Sequence, residues 1–305
     1  MNASRLARIA TDDGVAYLAW VDGGGEQSVH LDGKMLREVR TRGATRPVVG
    51  DWVEISPDGR VLTVKPRRTR LARKAAGSHD VEQVIAANVD LAFVATGADG
   101  DVNERRLERY LALVHDGGVE PVVLLMKADA CADIEAERAR VRSAVPDVDI
   151  IAVSARTGEG VDEVARRIAP GQLGTLLGSS GVGKSTLVNR LVGEARQKVG
   201  DLRDDGKGRH TTTRREIVLL PGGGMLLDMP GMRELGLIDA EQGLGEAFPE
   251  VTALTLQCRF RDCQHAQEPG CAVRAALATG ALDAPRFESW QKLRDELGQR
   301  RKPRR

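Results

Sequence analysis

Nine residues, "GSSGVGKST" from Gly178 to Thr186, restrict the fold of this chain more than any other feature. They fit Gly-x-x-x-x-Gly-Lys-Ser, follow the apolar run "TLL" and open a helical pattern near Lys184. Glycine lets the backbone curl so that the N–H groups of Gly178, Ser179, Ser180, Gly181, Val182 and Gly183 point inward, and the helix N-terminus adds positive potential toward phosphate. Lys184 is expected to reach the β and γ phosphates and to act in catalysis. Ser185 is expected to place its hydroxyl on Mg²⁺, and Thr186 completes the binding run. The bland alternative, a glycine-rich turn before a helix, is opposed by the strand before and the helix after.

Two further segments suit the same chemistry. "LLDMPGM" (226–232) ends a strand at Asp228, which would hold Mg²⁺ through water, and Gly231 follows within contact distance of a γ-phosphate. Between it and the loop lies "GKGRHTTTRRE", where Thr212, with Thr213 next, is the expected third Mg²⁺ ligand in a segment ordered by γ-phosphate.

A base reader is sought next. "PVVLLMKAD" (121–129) is an apolar strand delivering Met126, Lys127, Ala128 and Asp129 at its tip. A carboxylate suits guanine, whose N1–H and 2-amino groups are adjacent donors. Asp129 is assigned that role, with the Lys127 stem along the base plane. "SAR" (154–156), also after a strand, brings Ser154 and Ala155, whose backbone N–H groups face the guanine oxygen. The order is therefore base, base, phosphate, Thr, Asp, whereas an ordinary small GTPase begins with phosphate. This is a circular permutation, tolerable because domain termini lie close together at the surface.

Around this centre the pattern changes twice. From Gly14 to Lys65, alternating segments such as "VAYLAWV" and "DWVEI" between glycine-rich turns predict a small antiparallel barrel. "KPRRTRLARKAAGSHD" reads as a linker or mobile basic loop. After Val81, strands alternate with helices, which implies a mainly parallel sheet covered on both faces. Beyond Gly236 short helices surround Cys258, Cys263, His265 and Cys271. Three thiolates and one imidazole form a closed tetrahedral set for a structural zinc. Cys131 stands apart and reads as packing.

Charge adds a partner. Residues 34–74 carry twelve Lys/Arg against four Asp/Glu, and residues 286–305 carry eight against three, although the whole chain nets only +1. Two basic blocks bracketing a nucleotide site favour a polyanion such as nucleic acid. No apolar run approaches the roughly 20 residues of a membrane span, and the start lacks a secretory core. A cytoplasmic protein is therefore expected, and a monomer is the expected oligomeric state.

Taken together, "PVVGDWVEI", "KAD", "SARTGEG", "GSSGVGKST", "GRHTTT", "DMPGMRE" and "CRFRDCQHAQEPGCAV" resemble the ribosome small-subunit-dependent GTPase A family. The resemblance covers essentially the whole chain. It implies an N-terminal OB-fold barrel (1–74 with its linker), a central α/β circularly permuted phosphate-loop GTPase domain (75–236) and a mainly helical zinc-binding domain with a basic tail (237–305). It also implies late maturation of the small ribosomal subunit and its rRNA, with subunit-stimulated hydrolysis of GTP to GDP.

Two positions depart from that pattern. Met126 stands where the family carries Asn, which removes a polar contact at the base; weakened nucleotide binding with guanine preference kept by Asp129 is expected. Met232 stands where many GTPases carry the water-orienting Gln, so intrinsic turnover of order 10⁻⁴ to 10⁻² per second is expected. His210 is the candidate for positioning water, with RNA contact or simple solvation as its rival roles. Competing readings are an RNA-binding protein with a degenerate nucleotide site and a phosphate-loop ATPase acting on nucleic acid; Asp129 and "SAR" oppose the second.

Overall fold

The structure is a computed structural model that describes residues 4–13, 16–42, 45–74, 82–100, 102–193, 215–228 and 241–300. The chain opens with β1 (Arg5–Asp12), β2 (Tyr17–Val21), β3 (Glu26–Val29), α1 (Gly33–Arg42), β4 (Trp52–Ile55) and β5 (Val61–Val64). β1 pairs antiparallel with both β2 and β4, β2 with β3, and β4 with β5, and a bridge from His30 to Arg60 joins the two ends. Alternation drives the closure. Ala7, Ile9, Ala19, Val21, Val29, Val53, Ile55 and Val61 all point inward and are buried. This is the expected barrel, with two additions. It begins at β1, ahead of the expected start at Gly14, and it contains α1, whose "GKMLREVRTR" has too few apolar residues to announce a helix.

The expected linker is also more ordered than its composition suggests. Within it, β6 (Arg70–Lys74) pairs antiparallel with β7 (Glu82–Ala87). Leu71 is the sole large apolar residue of "RLARK", and it is buried with Ile85 and Ala86. A hairpin whose second strand lies after the charged run leaves almost no local signal.

The central sheet contains β8 (Leu91–Gly97), β9 (Glu120–Met126), β10 (Asp149–Val153), β11 (Leu173–Gly178), β12 (Arg215–Leu219) and β13 (Met225–Asp228), in the order β10-β9-β8-β11-β13-β12. The first five are parallel, and β12 returns antiparallel to β13. Every residue of β8 is buried, as a strand covered on both faces requires. α2 (Glu104–Asp116) and α3 (Ile134–Ala144) pack with Val94, Val123 and Leu125 on one face. α4 (Val161–Arg167) and α5 (Lys184–Val192) pack with Phe93, Leu124 and Met126 on the other.

β12 also pairs antiparallel with β1, through Thr11 and Glu216, so one continuous sheet runs from the barrel into the nucleotide-binding layer. Asn88 strengthens this junction. Its side chain donates to the Gly50 carbonyl and accepts from the Arg68 N–H, and its own carbonyl accepts from Arg8.

The C-terminal part comprises α6 (Glu241–Ala247), α7 (Pro249–Thr255), α8 (Ala272–Thr279) and α9 (Ala284–Arg300). The sequence pattern had suggested only the last two. α6 crosses α2 so closely that a Cβ on Gly243 would sit 1.9 Å from the Ala112 carbonyl oxygen. Buried Arg286 of α9 joins the parts: it bonds Glu108 of α2 at 2.9 Å, Glu250 of α7 at 2.7 Å and the Ala247 carbonyl, and lies over the Phe248 ring. No helix among the described residues is long and apolar enough to cross a membrane.

Candidate nucleotide site and metal centre

The parallel strands all end on one edge of the sheet, where α/β proteins place their ligands. At the end of β11 the chain turns at Gly178, whose φ of 140° and close approach to the Ala95 carbonyl (2.4 Å from a built Cβ) exclude a side chain. Val182 is buried and pins the loop from below, while Ser179 and Ser180 ride above it, half-buried and exposed. Gly183, at φ 107°, caps α5, which begins at Lys184. The Lys184 ammonium folds back over the loop and donates to the carbonyls of Gly178 (2.7 Å) and Ser179 (2.6 Å). Ser185 and Thr186 are exposed in the first turn of α5. Asp228 ends β13, the strand beside β11, which places it at the same edge of the sheet as the phosphate loop. His210, Thr212, Thr213, Gly231 and Met232 lie outside the described residues.

The base elements gather on the neighbouring strand ends. β9 and β10 are in register, with Met126 beside Val153, which brings 127–129 and 154–156 together. Lys127 takes the left-handed conformation (φ 61°) and its ammonium bonds Asp99 at 2.7 Å. Asp129 follows in the short 3₁₀ turn Ala128–Ala130. Its Oδ1 accepts from Ser154 Oγ at 2.5 Å and its Oδ2 from Arg156 Nε at 2.7 Å. The Ser154 hydroxyl first, and the Arg156 guanidinium second, hold the Asp129 carboxyl below the ordinary range, so it is an anion well below neutrality. Ser154 is fully buried and Ala155 nearly so; the Ser154 N–H donates to the Glu159 carbonyl at 2.9 Å, so it does not face a base as expected, and its hydroxyl serves Asp129 instead.

Met126 is 1% exposed and packs into the cluster of Val153, Val182 and Leu187, its Cε 3.3 Å from a Cβ built on Gly183. The lost polar tether is replaced by an apolar brace under the phosphate loop. Sequence reasoning did not assign Asp99, Arg156 or Arg190. The last packs over Gly158, where a Cβ would meet its guanidinium at 2.8 Å. An acidic residue in a loop and two arginines among forty-five basic residues carry no distinguishing pattern.

The second centre is compact. The ligand atoms of Cys258, Cys263, His265 and Cys271 lie within 4.8 Å of one another. Cys258 and Cys271 sulfurs are 3.9 Å apart, and they stand 3.6 and 3.5 Å from His265 Nδ1. A tetrahedral ion with metal–sulfur bonds of about 2.3 Å and a metal–nitrogen bond of about 2.0 Å has edges of about 3.8 and 3.6 Å, so the donor set fits a metal ion. Cys271 caps α8, and the His265 ring stacks edge-on against Phe287 and Trp290 of α9. The backbone N–H of Glu268 itself and those of Gln264, Ala266 and Gln267 hold the Glu268 carboxyl down to about 2, which ties the knuckle loop together. Cys131 packs half-buried against the core.

A five-stranded barrel fused by its own sheet to a phosphate-loop layer, with base elements that precede the loop in sequence and a Cys₃His module behind, defines a circularly permuted nucleotide-binding protein. Residues 64–238 match the family profile described as RsgA GTPase. The chain is 46% identical over 288 residues to the Small ribosomal subunit biogenesis GTPase RsgA of Opitutus terrae, covering 89% of this chain and 78% of that one. It is 51% identical over 255 residues to the protein of that name from Xylella fastidiosa, covering 83% and 74%. Among solved structures, YjeQ from Thermotoga maritima superposes with a TM-score of 0.73 at 26% identity, covering 98% of this chain and 100% of that one. YloQ, a circularly permuted GTPase, shares the fold with a TM-score of 0.68 at 23% identity, covering 99% and 98%. The chain therefore belongs to the RsgA GTPase family and is a GTP-hydrolysing enzyme.

Proposed function

We propose that this enzyme acts on the small ribosomal subunit late in its maturation, in the cytoplasm and as a monomer, and that hydrolysis of GTP to GDP accompanies its release. In this reading the barrel (1–74) contacts rRNA, 75–236 is the GTPase and 237–305 is a metal-held module with a basic tail. Asp129 reads the guanine N1–H and 2-amino groups, Lys127 flanks the base, and the Ala155 N–H faces its oxygen, the Ser154 N–H being held by the Glu159 carbonyl. Residues 178–183 cradle the phosphates, and Lys184 swings from the two carbonyls it now bonds onto the β and γ oxygens. Mg²⁺, an oxygen-seeking ion, would be held by Ser185, Asp228 and Thr212, and it would neutralise charge on the transferring phosphoryl group. His210 positions the attacking water and Gly231 contacts the γ-phosphate. Zinc would occupy the Cys₃His set.

The observation that carries this reading is the shared crevice: an anionic Asp129 fixed by Ser154, the phosphate loop and Asp228 all stand at the ends of parallel strands on one edge of the sheet. The small subunit is supported by the shared names of relatives at about half identity and by the two basic blocks, which rRNA would reward through counterion release. The test is GTP hydrolysis titrated with purified small subunits, large subunits and naked RNA. Stimulation by small subunits alone, with ATP inert, is expected. Equal stimulation by all three would refute the assigned partner, and equal use of ATP would refute the base reader.

A further inference from the structure

Arg156 is a cation on Asp129 that the nucleotide chemistry above does not use. The two donors on Asp129 differ in how firmly they are held. Ser154 is fully buried: its N–H bonds the Glu159 carbonyl, its carbonyl accepts from Gly158, and its Oγ also accepts from the Thr157 N–H. That bond cannot leave without breaking the turn. Arg156 is instead 77% exposed at the end of a long side chain, so its 2.7 Å bond to Oδ2 exchanges readily.

A guanidinium and the guanine edge are chemically alike toward a carboxylate. Each is a flat N–C–N unit whose neighbouring N–H groups point the same way. Reading guanine through both N1–H and the 2-amino group uses both Asp129 oxygens: Oδ1 keeps a second lone pair beside the buried Ser154 hydroxyl, whereas Oδ2 is engaged by the exposed Arg156 from the solvent side, where a base also docks. The other flanking cation, Lys127, is tied to Asp99 and does not share this contact.

We propose that Arg156 is an internal competitor for the guanine edge: it leaves Asp129 when the base docks and returns as the base departs. It thereby lowers affinity for guanine nucleotides and shortens the residence of GDP. This inference rests on the reading of Asp129 as the guanine reader. An exposed ion pair keeps the carboxylate occupied often enough to raise the dissociation constant about two- to sixfold.

The experiment measures the affinity and dissociation rate of fluorescent GDP and ADP for the full chain, Arg156→Ala, Asp129→Ala and the double variant. Arg156→Ala is expected to tighten GDP about two- to sixfold, to leave ADP and thermal stability unchanged, and to have no effect once Asp129 is Ala. If Arg156→Ala weakens GDP, the side chain stacks on the base instead, and the proposal is overturned. An unchanged GDP affinity overturns it as well. Should Asp129→Ala weaken GDP while Arg156→Ala fails to tighten it, only the competitor role falls. Should Asp129→Ala leave GDP untouched, the guanine reading falls and this proposal with it.

Discussion

Met126 carries one consequence when read in the sequence and another when read in the fold. From the sequence it is an apolar residue where a polar one anchors the base, and the expected cost is a missing hydrogen bond. In the fold it is buried against Val182 and Gly183, so the phosphate loop rests on it. The polar contact is still missing, but the space it would fill is packed. Met126→Ala is therefore expected to open a cavity beneath the loop, lowering stability by about 2 to 5 kcal/mol and weakening GDP and ADP alike. Denaturant unfolding and nucleotide titration check this. A selective loss of GDP would show that the thioether serves the base rather than the loop. Asp129 was legible because a carboxylate after an apolar strand has few roles. The Arg156 bond to Asp129 was not, because it spans twenty-seven residues.

Among elements, α2 is the place where the nucleotide-binding layer meets the C-terminal module. Arg286 of α9 is 7% exposed and bonds Glu108 of α2, itself buried. Arg286→Ala strands that carboxylate, and a loss of about 3 to 5 kcal/mol in urea unfolding is expected. Glu108→Gln should lose less, since an amide oxygen still accepts from the guanidinium. His115 of α2 faces Glu246 of α6 at 3.3 Å. Burial pushes its imidazolium below the usual range, and Glu246 only partly opposes this. The sign follows from the unfolded chain, which binds the proton more readily. Stability from this residue is complete above pH of about 6.5 and is lost as pH falls toward the lower folded value. Melting temperatures between pH 7.5 and 5.5 should fall less in His115→Gln than in the parent. A parallel fall in both would reject the residue's role. These helix contacts were illegible in the sequence. α6 is short and packs on α2, a helix more than one hundred positions away, and α7 is as short and packs between α6 and α8.

At the scale of the whole molecule, the barrel, the nucleotide-binding layer and the metal module are joined by structure rather than by linkers alone. The β1–β12 ladder carries the sheet from one to the next, and Arg286 clamps the third. The metal module depends on its ion if the donor set is filled as its geometry allows. Chelation is expected to release about one zinc per chain, to free the three thiols to titration and to loosen 258–271. Trp290 lies 5.6 Å from the His265 ring, so its fluorescence should report the loss, and Trp290→Phe should abolish that change. Three unreactive thiols after chelation would place the ion elsewhere.

The sequence by itself determined the phosphate loop, the strand-tip Asp129, the permuted order and the Cys₃His set. Each is a short pattern whose chemistry demands particular residue types at near-fixed spacing. It also revealed the alternation of the barrel and the helix–strand rhythm, because burial on one face imposes a period that survives in a single chain. Only the tertiary structure decided that Met126 braces the loop, that Arg156 bonds Asp129, that β6 pairs with β7 and that the barrel shares a sheet with β12. Those relations join residues distant in sequence, through hydrogen bonds and packing that any of several residue types could make, so local pattern carries no trace of them.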